Sequence, residues 1–244
     1  MTENKKENLN NRMIKFLFEG APVRGACVQM AEEWQEMIKF HHYPENVAAL
    51  LGQFTAGALL LSSTIKFEGS LILQVKGSGP IAFIYAEVRN PMSVRAMAEI
   101  REGAEIKPEM DLQELINKDG KGLCALILDP KDRRPGVQPY QGMVSLESNS
   151  VAENLENYMA KSEQLETKLY LAADSKKLGG LVIQKMPSVG GNVSEISDPD
   201  AWGRILQLAH TVTKDELLNV PATDVLHRLF WQEKLVPVAE TDIT

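Results

Sequence analysis

Hydrophobic and polar positions change period several times along this chain, and each change marks an element. Residues 13–18 and 23–29 are β-rich runs around the turn Glu19-Gly20-Ala21-Pro22 and predict two strands. Residues 31–40 place Trp34, Met37, Ile38 and Phe40 at near-helical spacing. Pro44 then opens a helix that aligns Val47, Leu50, Leu51, Phe54, Ala58, Leu61 and Ile65 in one stripe. Residues 70–76 and 81–88 read as a hairpin joined by Gly77-Ser78-Gly79-Pro80. Residues 92–100 and 111–117 predict two short helices, the second opened by Asp111 with Glu114 at capping-box spacing. Strands are expected at 123–128 and 140–146, then a helix capped by Ser150 with Glu153, then a strand pair at 168–172 and 178–186.

The pattern shifts after Met186. Residues 187–197, with Pro187 and Gly190-Gly191, read as a linker. Beyond it the periodicity is helical. Trp202, Ile205, Leu206, Leu208 and Ala209 form one apolar set; Thr213 with Glu216 caps a second helix carrying Leu217 and Leu218; residues 221–231 carry Val225, Leu226, Leu229 and Phe230. The expected fold is therefore mixed α/β (α+β). A polar N-terminal tail at 1–12 precedes a largely antiparallel sheet body with packed helices at 13–186. A helical annex at 198–233 and a tail at 234–244 follow the linker.

Composition narrows the function. The 244 residues are 44% hydrophobic and 24% charged, with a net charge of −7. That balance argues against general nucleic-acid or anionic-membrane partners, which need basic patches. The uncharged stretch 46–65 contains Gln53, Thr55 and three further hydroxyls beside two glycines, so it predicts a core helix rather than a membrane span. The N-terminus has no signal-peptide pattern, and the expected compartment is the cytoplasm. Two cysteines, Cys27 and Cys124, exclude a disulfide scaffold and any cysteine-only zinc site within these residues.

Catalytic chemistry is sparse. No P-loop, zinc-protease helix or nucleophile elbow occurs. Two seats remain for an enzyme: Cys27 beside Arg24, where a cation would lower the thiol pKa, and the loop 129–134 with Asp129, Asp132, Arg133 and Arg134. The stronger signal is apolar. Three short helices cannot bury faces as wide as those of the annex against one another, so part must pack on the body. Detaching the annex would expose two matching apolar surfaces, the signature of a protein-binding site.

Specific blocks carry a resemblance. Tyr140-Gln141-Gly142-Met143-Val144-Ser145-Leu146-Glu147, then Ser150-Val151-Ala152-Glu153-Asn154-Leu155-Glu156-Asn157-Tyr158 and Ser162-Glu163-Gln164, resemble the signature of the heat-shock protein 33 family, bacterial redox-regulated holdase chaperones. Val23-Arg24-Gly25, Lys66-Phe67-Glu68-Gly69, Leu73-Gln74-Val75 and Leu226-His227-Arg228-Leu229-Phe230 are similar to further family blocks. The resemblance implies ATP-independent binding of unfolding client proteins, a homodimer and no enzymatic activity. It also implies a C-terminal zinc module with paired cysteines whose oxidation releases the linker. Neither Cys27 nor Cys124 matches those ligands, so core and linker without the zinc switch, and with no cofactor, are expected here. The client-binding residues expected from the annex are Ile205, Leu206, Leu217, Leu218, Leu226, Leu229 and Phe230.

Overall fold

The structure is a computed structural model that describes residues 11–65, 68–89, 92–132, 138–187, 198 and 200–244. Strands β1 (Arg12–Phe18) and β2 (Val23–Met30) form an antiparallel hairpin, followed by helices α1 (Glu32–Ile38) and α2 (Glu45–Thr64). Next come β3 (Gly69–Lys76), β4 (Ile81–Arg89), β5 (Ser93–Ile100), α3 (Leu112–Ile116), β6 (Leu123–Pro130) and β7 (Tyr140–Ser145). Helix α4 (Val151–Ser162), β8 (Thr167–Ala173) and β9 (Leu178–Lys185) complete the body. The annex is α5 (Ala201–Ala209), α6 (Lys214–Asn219) and α7 (Ala222–Phe230), and β10 (Leu235–Asp242) follows it.

The strands make two five-stranded sheets, every described pair antiparallel. Sheet A has the order β10-β1-β2-β9-β8, and sheet B the order β5-β4-β3-β6-β7. Helix α2 lies between them, touching β2, β8 and β9 on one side and β3, β4 and β5 on the other. A helix enclosed in this way must be apolar all round. Its buried residues, among them Leu51, Phe54, Ala56, Leu59, Leu60 and Leu61, circle its whole surface. It is long and apolar enough to cross a membrane by length and composition alone, but the packing shows its role as the core helix.

Sheet A is buried on both faces. Met13, Ala26, Val28, Leu178 and Val182 point toward α2, while Ile14, Phe16, Phe18, Cys27, Leu181 and Ile183 point toward the annex. Two neighbouring glycines on β9 serve opposite faces. A Cβ on Gly179 would lie 2.2 Å from the carbonyl oxygen of Leu217 in α6. A Cβ on Gly180 would lie 2.9 Å from Leu60 of α2. Each glycine lets a helix seat flush on the sheet.

Two expectations need correction. Residues 92–100, expected as a helix, contain strand β5. Val94, Ala96 and Ala98 face the core while Ser93, Arg95, Met97 and Glu99 face out, a period of two imposed by pairing with β4. The residues 234–244, expected as a tail, contain β10, which pairs along β1, and Ile243 is buried. Pro237 is compatible because β10 is an edge strand, where a missing ladder N–H costs little. A register shift opposite Lys15/Phe16 leaves Val238 outside the pairing. Of the expected linker 187–197, only Pro187 is among the described residues.

Candidate functional site

The joint between sheet A and the annex is built from alternate residues of β1, β2 and β9 on one side and three short amphipathic helices on the other. All seven annex residues singled out from the sequence converge there. Ile205, Leu217, Leu226, Leu229 and Phe230 are buried, and Leu206 and Leu218 are half-buried in the same cluster. Ala201, Ala209 and Val225 are equally buried and were not singled out; their place in the α5 and α7 stripes was the signal available. Phe230 fits beside two phenylalanines of β1. Its ring centroid is 5.0 Å from Phe18 in an edge-on arrangement and 6.2 Å from Phe16.

A few polar contacts fix the register of this apolar joint. The buried Gln29 amide on β2 donates to the carbonyls of Leu217 at 2.9 Å and Val220 at 2.7 Å, capping the end of α6 against the sheet. Lys177 donates to Asn219 Oδ1 at 2.9 Å. Within the annex, Arg204 bridges Asp198 at 2.7 Å and Glu233 at 2.6 Å, tying its first residue to its last turn. Thr213 and Glu216 form the expected capping box, and Arg228 of α7 also pairs with Glu216.

These contacts set a pH response. Burial alone would raise the Glu216 carboxyl, but hydrogen bonds from Thr213 and the charge of Arg228 outweigh it and hold it below the usual glutamate range. The Arg204 guanidinium, with the Asp200 N–H, holds Asp198 below the usual aspartate range. Folded values lower than unfolded ones contribute stability that is present above the unfolded pKa and lost as pH falls through the folded one. In the body, burial would raise the Glu87 carboxyl, but hydrogen bonds from Arg89, Tyr85 and Arg95 outweigh it and hold it lower, at about 2, so the body also loses stability as pH falls. Annex amides are therefore expected to lose hydrogen-exchange protection first, below about pH 4, and α2 amides only at lower pH. Equal loss in both elements would refute a separately titrating annex.

The Cys27–Arg24 seat does not assemble. Residues three apart on a strand face opposite sides, so Cys27 points to the annex while Arg24 points away and donates to Gln184 Oε1 at 2.9 Å. Burial pushes the Cys27 thiol up to about 12, the reverse of an activated nucleophile. Cys124 is also pushed up to about 12, in the other core, between sheet B and α2. Of the 129–134 loop, Arg133 and Arg134 lie outside the described residues. Asp129 lines a cleft of about 820 Å³ with Lys15, Glu68, Arg89 and Lys131, and Asp132 is exposed. The two cysteines do not fit the zinc module implied by the resemblance, being buried in separate cores.

The model of the Hsp33 protein family matches residues 11–244. The chain belongs to that family. A 33 kDa chaperonin of Methylobacillus flagellatus is 37% identical over 226 residues, covering 92% of this chain and 73% of the relative. One of Neisseria gonorrhoeae is 40% identical over 223 residues, covering 91% and 70%. The solved HSP33 homologue of Thermotoga maritima superposes with a TM-score of 0.73 at 19% identity, over 96% of this chain and 79% of that one, and shows the same fold.

Proposed function

We propose that this chain is the client-binding body of an ATP-independent holdase chaperone, which captures unfolding proteins on the apolar faces that separate when the annex leaves sheet A. The observation that carries this reading is the joint itself. A wide apolar cluster is closed by three helices of six to nine residues, the length class least able to persist alone. Such an element occupies the low-stability end of a fold and opens before the core does. Captured clients are removed from the pool that aggregates, which is how a holdase acts without ATP. The family names of the relatives support a chaperone rather than an enzyme. The cytoplasm as compartment and a homodimer as the active state belong to the same reading.

Light scattering during heating of an unrelated aggregation-prone protein tests it. Suppression at several-fold molar excess is expected, unchanged by peroxide or by a zinc chelator. Unaltered aggregation would overturn the reading. A requirement for peroxide would show a redox switch among residues whose thiols are both buried.

A further inference from the structure

Among the described residues, sheet B is packed on one face only, against α2. Alternation along its strands and the pairing register place one row of side chains straight across the open face: Met97, Tyr85, Gln74, Ala125 and Met143. In the next row Leu123 stands beside Lys76. Met97 is 41% exposed, Leu123 45% and Met143 61%, which places three of the eight exposed large apolar residues among those described on one surface. Scattered singly they would need no explanation; together on a sheet they form a patch. A groove of about 230 Å³ runs over this face, floored by Leu123, Ala125 and Met143 and flanked by Gln74 and Gln141.

The groove has a charged end. Lys76 and Lys121 line it beside Leu123, in a chain whose net charge is −7. Lys76 makes no ion pair among the described residues. Glu87, in the neighbouring row, is already neutralised by Arg89 at 2.7 Å and Arg95 at 2.6 Å. Glu99 is exposed on the same face, but Phe83 separates it from Lys76 in the same row, and it lies two strands further from the groove. The amides of Gln74 and Gln141 have no hydrogen-bond partner among the described residues and stand free to pair with a passing backbone.

Area decides between occupants. Five strands about 4.8 Å apart, with four outward rows, give a footprint on the order of 400–500 Å². A stable dimer interface needs about 800 Å² per partner. The face is too small for a second copy and suits one extended segment.

We propose that the open face of sheet B is a second client-binding surface, available while the annex is docked, which takes an extended apolar segment flanked by acidic residues. Leucine-sized side chains would seat on Leu123, Ala125 and Met143, with the glutamine amides on the backbone and the acidic flank at Lys76 and Lys121. The inference rests on the holdase reading and names a partner chemistry for a separate face.

The test uses a fluorescein-labelled peptide of about ten residues, alternating leucine and serine and ending in two glutamates, and its twin ending in two lysines. Each is titrated against the whole chain at low ionic strength and followed by anisotropy, with Cys27 reactivity recorded in parallel. Binding of the acidic peptide is expected while Cys27 stays protected, at least about fivefold tighter than its basic twin. Lys76→Glu should abolish that preference. Leu123→Ser with Met143→Ser should weaken binding about tenfold or more without moving the thermal transition, because both side chains are exposed. Equal affinity for the two peptides, indifference to these substitutions, or binding only once Cys27 reacts would each overturn the proposal. So would a dimer that the double substitution converts to monomer. Absent peptide binding beside intact aggregation suppression would sink this surface alone. Intact peptide binding without suppression would sink the annex reading and leave this surface standing.

Discussion

Phe230→Ala will open the annex without unfolding the body. Phe230 is fully buried between Phe16 and Phe18, and its ring joins α7 to β1. Truncating a buried phenylalanine costs about 3–5 kcal/mol. The loss falls on the joint, because no atom of Phe230 belongs to the cluster around α2. At the lower figure the population with a detached annex rises on the order of 100-fold. Cys27 reports it directly. Its thiol is fully buried under the annex and pushed up to about 12, so a thiol reagent at pH 8 reaches it only after undocking. Its reaction rate should rise by about that factor, while Cys124, between sheet B and α2, stays protected. Aggregation suppression at moderate temperature should rise in step. Equal acceleration of both thiols would mean global unfolding and would remove the case for a detachable annex.

Gly179→Ala and Gly180→Ala should separate the two faces of sheet A with one methyl group each. The added Cβ at position 179 meets backbone, the Leu217 carbonyl oxygen at 2.2 Å, and backbone cannot rotate aside. Helix α6 must lift, and with it the two hydrogen bonds from Gln29. Cys27 reactivity should rise at least about tenfold, with the main thermal transition of the body little changed. At position 180 the same methyl meets first Leu60 Cδ1 at 2.9 Å and Leu171 Cδ2 at 3.1 Å, ends of side chains in the α2 core. The Tyr170 carbonyl oxygen of the neighbouring strand is also at 3.1 Å, well clear of the 2.2 Å at position 179. Overpacking there costs about 1–3 kcal/mol and should lower the main transition by several degrees. Cys27 should stay protected until that transition. If position 179 behaved like position 180, annex and body would be one cooperative unit and the proposed mechanism would fail.

Local chemistry made much of this fold legible. The capping boxes at Asp111 with Glu114 and Thr213 with Glu216 form as their spacing indicates. Ser150 also caps its helix, accepting from the Glu153 N–H, but the Glu153 carboxylate turns to the Ser148 hydroxyl instead of closing the box. The annex stripes were visible because a helix with one apolar face repeats every three to four residues. Residues 93–100 misled because Ala96, Met97, Ala98 and Glu99 are good helix formers, and the strand arises only from pairing with β4. Pro237 likewise concealed β10, since its tolerance depends on lying at a sheet edge. The open face of sheet B was invisible for a related reason. Its apolar residues come from separate strands and meet only through register.

The residues alone therefore determined most of the elements, two closed capping boxes, the apolar annex and the family, because each depends on neighbours a few positions away or on ordered blocks of sequence; β5 and β10 needed their pairing partners. Tertiary structure alone decided which face each strand residue serves. Strand β9, Leu178–Lys185, is buried at seven of its eight positions, so its pattern carries no polar alternation to assign faces. Only α2 on one side and the annex on the other distinguish Gly180 from Gly179, the core from the joint.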